Sequence, residues 1–208
     1  LGFVAHEMRN PLSTALWSAE LMARLSPEDR AGQRGEKLSG MCLRSLQRLR
    51  LLVEDHFLAE RLAVGGMPLR REPVGLRGAV DAAREKVGAA RLQVDVGGEL
   101  TAWTDRALLD RALEGLLAVA TRGGVEATVS GWTSGRAVGV RVAGAPAAPD
   151  ALDPPRKGSA SDPTGRALAL HMARRVASAL GGSLALVGDD YLLTLPTGPV
   201  GESDPDGR

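Results

Sequence analysis

Asparagine occurs once in this 208-residue chain, at Asn10, and cysteine once, at Cys42. A single thiol excludes an internal disulfide framework and fits a reducing, cytoplasmic compartment. Cys42 itself reads as a small packing residue on a helix. Aromatic residues make up 3%, so any core must be built from Leu, Val and Ala. The net charge of +1 gives no electrostatic reason to expect nucleic acid or a membrane surface as partner. No apolar run approaches the roughly 20 residues that span a bilayer, and no signal-peptide pattern opens the chain. Internal repeats are absent. What is present is globular composition, 44% hydrophobic and 25% charged. The first residue is Leu rather than Met, which reads as a fragment of a longer protein or one whose start is disordered.

From residue 3 to 25, Val4, Met8, Leu12, Ala15, Ala19 and Met22 recur at steps of three and four, one face of a helix. Pro11 lies inside this pattern, where it removes a backbone donor and can kink the helix. The polar stretch 26–35, SPEDRAGQRG, reads as a loop. A second helical pattern runs from 36 to about 64, with Leu38, Met41 or Cys42, Leu46, Leu49, Leu52 or Val53, and Phe57 in register. Two such helices on a short connection make an antiparallel hairpin, which cannot bury a core alone. Two copies forming a dimeric four-helix bundle is the economical solution.

After Gly65-Gly66 and Pro68 the grammar changes. Strand-like runs stand at about 69–73, 91–96, 100–103, 125–132, 136–143, 183–187 and 191–195, with helical runs at about 75–89, 105–121 and 165–180. This mixed order predicts an α+β two-layer sandwich, helices covering one face of a mostly antiparallel sheet. The stretch 144–164 reads as a long loop. The expected organisation is a helical hairpin over 1–66, a sandwich over 67–197 and a flexible tail over 198–208.

The segment Phe3 to Leu12, FVAHEMRNPL, carries the most chemistry. A neutral, exposed imidazole at His6 is a good phosphoryl acceptor, and the adjacent Glu7 can take the proton of the other ring nitrogen and fix the tautomer. Asn10 lies one turn on, where its amide can position a water or a phosphoryl oxygen. Pro11 frees a backbone carbonyl near His6. This stretch strongly resembles the H-box of sensor histidine kinases. The second helix, around Arg48 to Asp55, and the exit segment Ala63 to Leu76 are similar to the same family. The resemblance implies that His6 carries the phosphoryl group. It implies that Glu7 is the general base for transfer from ATP, and that Asn10 assists dephosphorylation of a receiver. Arg9 would contact phosphate or be a solvated charge. His56 and His171 read as structural histidines with no transfer role.

The second half resembles the ATP-binding domain of that family in its apolar frame and departs from it in chemistry. On the helix from Thr104 to Gly124, Asp105, Leu109, Leu113, Leu116, Leu117 and Ala120 fit the frame. The two metal- and phosphate-holding asparagine positions fall on Gly115 and Val119. The adenine-reading turn puts Ala143 where an Asp belongs and Ala145 and Ala147 where Gly belongs. An alanine cannot accept the adenine amino proton. The lid phenylalanine has no counterpart, since Phe3 and Phe57 both lie in the hairpin. In the phosphate loop only Gly165 is kept, and Ala167 and Ala169 replace the other two glycines, whose methyls block close backbone approach. Arg156, Lys157 and Arg166 could attract an anion or simply form an exposed basic loop.

The expectation is therefore no bound cofactor and no metal, with Mg-ATP only if the chain is a divergent kinase. Three activities remain open. The chain could be a histidine phosphotransferase exchanging its phosphoryl group with a response-regulator receiver domain. It could be a divergent kinase, phosphorylated by itself or in trans by a partner kinase. It could be a non-enzymatic pseudokinase scaffold. The implied partners are a receiver domain and a second copy through the hairpin, with no nucleic acid and no membrane. The implied setting is the bacterial cytoplasm, with any sensor region upstream of Leu1.

Overall fold

The computed structural model describes residues 2–65, 67–146, 152 and 166–199, and gives the backbone alone for 2–6, 63 and 166–168. The described chain divides into two compact units, one ending at Glu60 and one running from Arg61 on. The sequence puts this boundary at Gly66, where the helix stops. The contacts put it a turn earlier, inside the helix.

The first unit contains α1 (Gly2–Ala23), α2 (Pro27–Ala31) and most of α3 (Gln33–Ala63). Helix α1 continues through Pro11. The proline has no N–H to offer, so the helix forgoes one i→i−4 bond at this point. The stretch expected as a plain loop holds α2. Ser26 caps it by accepting the Asp29 N–H at 3.1 Å, and Pro27 sits in its first turn. Ser-Pro-Glu-Asp is a helix-start signal, and it outweighs the loop-like content of the segment. Arg30 then donates to the carbonyls of Ala23 and Leu25, at 3.2 and 3.3 Å, closing off the end of α1.

The single apolar line expected on each long helix is resolved into two. On α1 the buried positions are Glu7, Pro11, Ala15 and Ser18, while Leu12, Leu16 and Trp17 are exposed. On α3 Leu38, Leu52 and Ala59 are buried, and Leu46 and Phe57, read from sequence as members of the same line, are exposed. Cys42 is half-buried.

The second unit contains β1 (Arg71–Gly75), α4 (Leu76–Val87), β2 (Leu92–Asp95), β3 (Thr101–Asp105), α5 (Arg106–Ala120), β4 (Ala127–Ser134), β5 (Ala137–Ala143), α6 (Arg166–Ala179), β6 (Ser183–Val187) and β7 (Asp190–Pro196). Five strands form one sheet in the order β2-β4-β5-β7-β6, antiparallel except for the β2–β4 pair. Strands β1 and β3 form a separate antiparallel ladder, which the sequence does not separate from the main sheet. Helix α5 packs against both α4 and α6 and against β5. Its Leu109, Leu113, Leu116 and Leu117 are fully buried, as are Val129 and Val142 on the sheet. With few aromatics available, Tyr191 is the one fully buried aromatic ring among the described residues of this core.

Asp105, read from sequence as part of the apolar frame of α5, is its cap. Its Oδ1 accepts the N–H groups of Ala107 and Leu108 at 3.1 and 3.2 Å, and its Oδ2 accepts that of Arg70 at 2.9 Å. One carboxylate thus joins the start of α5 to the lead into β1.

Candidate functional site

His6 lies in the second turn of α1; its side chain is outside the described residues. Residues four apart share a helix face and consecutive residues do not. His6 and Asn10 therefore belong to one face, and Asn10 and Arg9 are exposed. Glu7 belongs to the buried line with Pro11, Ala15 and Ser18, and is 2% exposed. Ser18 Oγ donates to the Thr14 carbonyl at 2.8 Å, and Thr14 Oγ1 to the Asn10 carbonyl at 3.1 Å. The helix after Pro11 is thus tied back to its own preceding turns. The sequence reading gave Glu7 the role of proton acceptor beside the imidazole. The fold buries that carboxylate, while Asn10, three residues on, is exposed.

In the second unit, α5 carries Gly115 and, one turn on, the buried Val119. The other positions that the sequence resemblance marks as replaced split. Ala143 ends β5, Ala145 follows it, and Ala169 lies in α6. Ala147 and Gly165 fall outside the described residues, as do Arg156 and Lys157, and only the backbone of Arg166 and Ala167 is described.

Two of these positions are brought into contact. A β-carbon built on Gly115 would stand 3.3 Å from the Ala169 carbonyl oxygen and 3.6 Å from the Ala169 methyl. Helices α5 and α6 therefore pack backbone against backbone at this point, where a methyl on Gly115 would be a few tenths of an ångström too tight. The turn after β5 is also docked on α5. Ala145 N–H donates to the Ala120 carbonyl at 2.8 Å. A β-carbon on Gly144 would meet that same carbonyl oxygen at 2.5 Å. Gly144, which the sequence reading does not single out, is the residue that lets the turn approach. Its signal, a glycine between two alanines after a strand, is too common to identify.

The remaining histidines keep structural surroundings. His56 is half-buried with its ring centroid 6.1 Å from that of Phe57. His171 on α6 accepts at Nε2 from Arg175 Nε, at 3.1 Å. Burial, then the charges of Arg175 and Arg174, hold its pKa below the usual imidazole value. No helix among the described residues is long and apolar enough to cross a membrane.

No family model matches the chain, and no curated protein matches it. Among solved structures the fold is that of the sensor histidine kinase core, a helical region followed by an ATPase-type α/β sandwich. The Acinetobacter baumannii histidine kinase AdeS superposes with a TM-score of 0.64 at 16% identity, over 92% of this chain and 98% of that one. Full-length ShkA, solved in complex with AMPPNP, gives 0.55 at 20% identity, over 90% of this chain and 46% of that one. At these identities the likeness is one of fold.

Proposed function

We propose that this chain is the phosphoryl-carrying core of a two-component signalling system, acting as a dimer, in which His6 exchanges its phosphoryl group with the aspartate of a response-regulator receiver domain. What carries the reading is a contrast. The segment His6 to Pro11 is intact on α1, whereas α5 and α6 meet directly at Gly115 and Ala169, where a nucleotide's phosphates would need a glycine loop and asparagine amides. The residues present do not fit Mg-ATP. Gly115 and Val119 offer no ligand atoms, and Ala143 has no carboxylate to read adenine. No step is therefore drawn through ATP.

The step itself balances without a nucleotide. The lone pair of the unprotonated ring nitrogen of His6 attacks phosphorus. The P–N bond forms as the P–O bond to aspartate breaks, and the carboxylate leaves with the electron pair. The attacking nitrogen carries no proton, and the proton on the other ring nitrogen stays on the phosphoimidazolium until water takes it.

The first test is a titration of the purified chain with a fluorescent ATP analogue and Mg²⁺. No saturable binding up to millimolar nucleotide is expected. Micromolar binding competed by ATP overturns the reading and restores a kinase. The second test offers the chain a panel of phosphorylated receiver domains. Label appearing on wild type and not on His6→Gln supports transfer; label on neither, with the receiver still bound, makes the chain a scaffold.

A further inference from the structure

Leu43, Arg50 and Phe57 stand seven residues apart on α3, so they repeat at one heptad position and form a line along the helix. Leu46 and Glu54 flank that line. Leu43, Leu46 and Phe57 are 57%, 47% and 63% exposed. Leu38, Leu52 and Ala59, also spaced by multiples of seven, form the buried line on the opposite side of the helix. Helix α3 therefore has one apolar line satisfied within the protomer and a second facing water. Arg50 interrupts the middle of the second line.

Resting on the dimer reading above, we infer that the second line is covered by the same line of a second copy of this chain, and that Arg50 and Glu54 pair across that interface and select for a like partner. Within the protomer the pair is weak. Arg50 Nε is 3.5 Å from Glu54 Oε1, with side chains 72% and 56% exposed. The arginine is also N-terminal to the glutamate, the less favourable order for an i,i+4 pair. Covering the leucines and Phe57 strips water from Arg50, and a guanidinium so placed needs a carboxylate. A second copy supplies one on the same line. Two-fold symmetry turns each contact into two, Arg50 of each protomer on Glu54 of the other. The two positions differ in height by about 6 Å along the helix, within reach of an extended arginine. A partner with an apolar line but no acid one turn beyond Arg50 would leave the guanidinium unpaired, which is how such an interface discriminates.

The experiment measures the dimer dissociation constant of the full chain by sedimentation, with circular dichroism to confirm that each variant keeps its helix content. Arg50→Glu alone puts four acids at the interface, and Glu54→Arg alone puts four bases there. Each is expected to weaken the dimer at least tenfold. Mixing the two variants, or combining both changes in one chain, restores opposite charges at every pair and is expected to recover wild-type dimerisation. Single variants that dimerise as tightly as wild type, while Leu46→Asp dissociates the dimer, overturn the ionic pairing and leave the dimer reading standing. A wild-type chain that stays monomeric overturns both.

Discussion

Gly115 of α5 and Ala169 of α6 touch. A β-carbon on the glycine would lie 3.3 Å from the alanine carbonyl and 3.6 Å from its methyl. Both are positions at which the sequence resemblance expects nucleotide-binding residues, and here they pack helix against helix.

Substitution at Gly115 checks this packing. Gly115→Ala gains up to about 1 kcal/mol of helix propensity and meets a contact only a few tenths of an ångström too tight, so stability should stay within about 1 kcal/mol of wild type. Gly115→Leu cannot be accommodated against the Ala169 backbone and should cost about 1–3 kcal/mol as overpacking. Urea unfolding of both variants decides it. A leucine variant as stable as wild type would mean that the space between α5 and α6 is open.

Asp105 should be the costliest polar residue of the sandwich to remove. Asp105→Ala loses two cap bonds to α5, worth about 1 kcal/mol, and strands the Arg70 N–H, worth about 1–3 kcal/mol more. A total loss of about 2–4 kcal/mol is expected in urea unfolding. Asp105→Asn keeps one acceptor oxygen and should recover part of it. Equal losses for the two variants would mean that the bonds are incidental.

His171 makes the stability of the sandwich depend on pH. Burial first, then Arg175 and Arg174, lower its folded pKa beneath the unfolded value of 6.5. The unfolded chain therefore binds the proton first as pH falls. The contribution is complete above about pH 6.5 and is lost progressively below it. Protonation also removes the lone pair that accepts from Arg175 Nε. His171→Gln should flatten the acid side of the stability profile, read from urea midpoints between about pH 7.5 and pH 5.5. Wild type and variant losing stability in parallel would rule this residue out as the source.

Most of the sandwich was legible because its signals are local. Leu109, Leu113, Leu116 and Leu117 announce the buried face of α5, and the alternation of β5 and β7 marks their inner sides. Pairing was not legible in the same way. Nothing in Arg71–Gly75 or Thr101–Asp105 says that these two strands pair with each other and not with the main sheet. In the helical unit the period was right and the partition wrong. Leu46 and Phe57 satisfy the same helical repeat as Leu38 and Leu52, and periodicity alone does not say which line is buried within one protomer. Burial is a further property the pattern does not carry: Glu7, polar and next to His6 in sequence, is turned to the interior and 2% exposed.

That orientation bears on the transfer reaction. A general base contributes about 10²–10⁴ in rate, so Glu7→Gln should cost that much wherever Glu7 removes a proton in the transition state. In phosphoryl arrival from a receiver aspartate the proton on the other ring nitrogen can stay until water takes it after transfer. The expected outcome is that His6→Gln abolishes labelling from the phosphorylated receiver, while Glu7→Gln slows it by less than about tenfold. Because Glu7 is buried, the variant's helix content and unfolding midpoint are measured alongside, to separate a chemical loss from an unfolded bundle. A hundredfold loss in a well-folded Glu7→Gln variant would show that the carboxylate reaches the imidazole. It would return Glu7 to the role its place beside His6 in the sequence suggests.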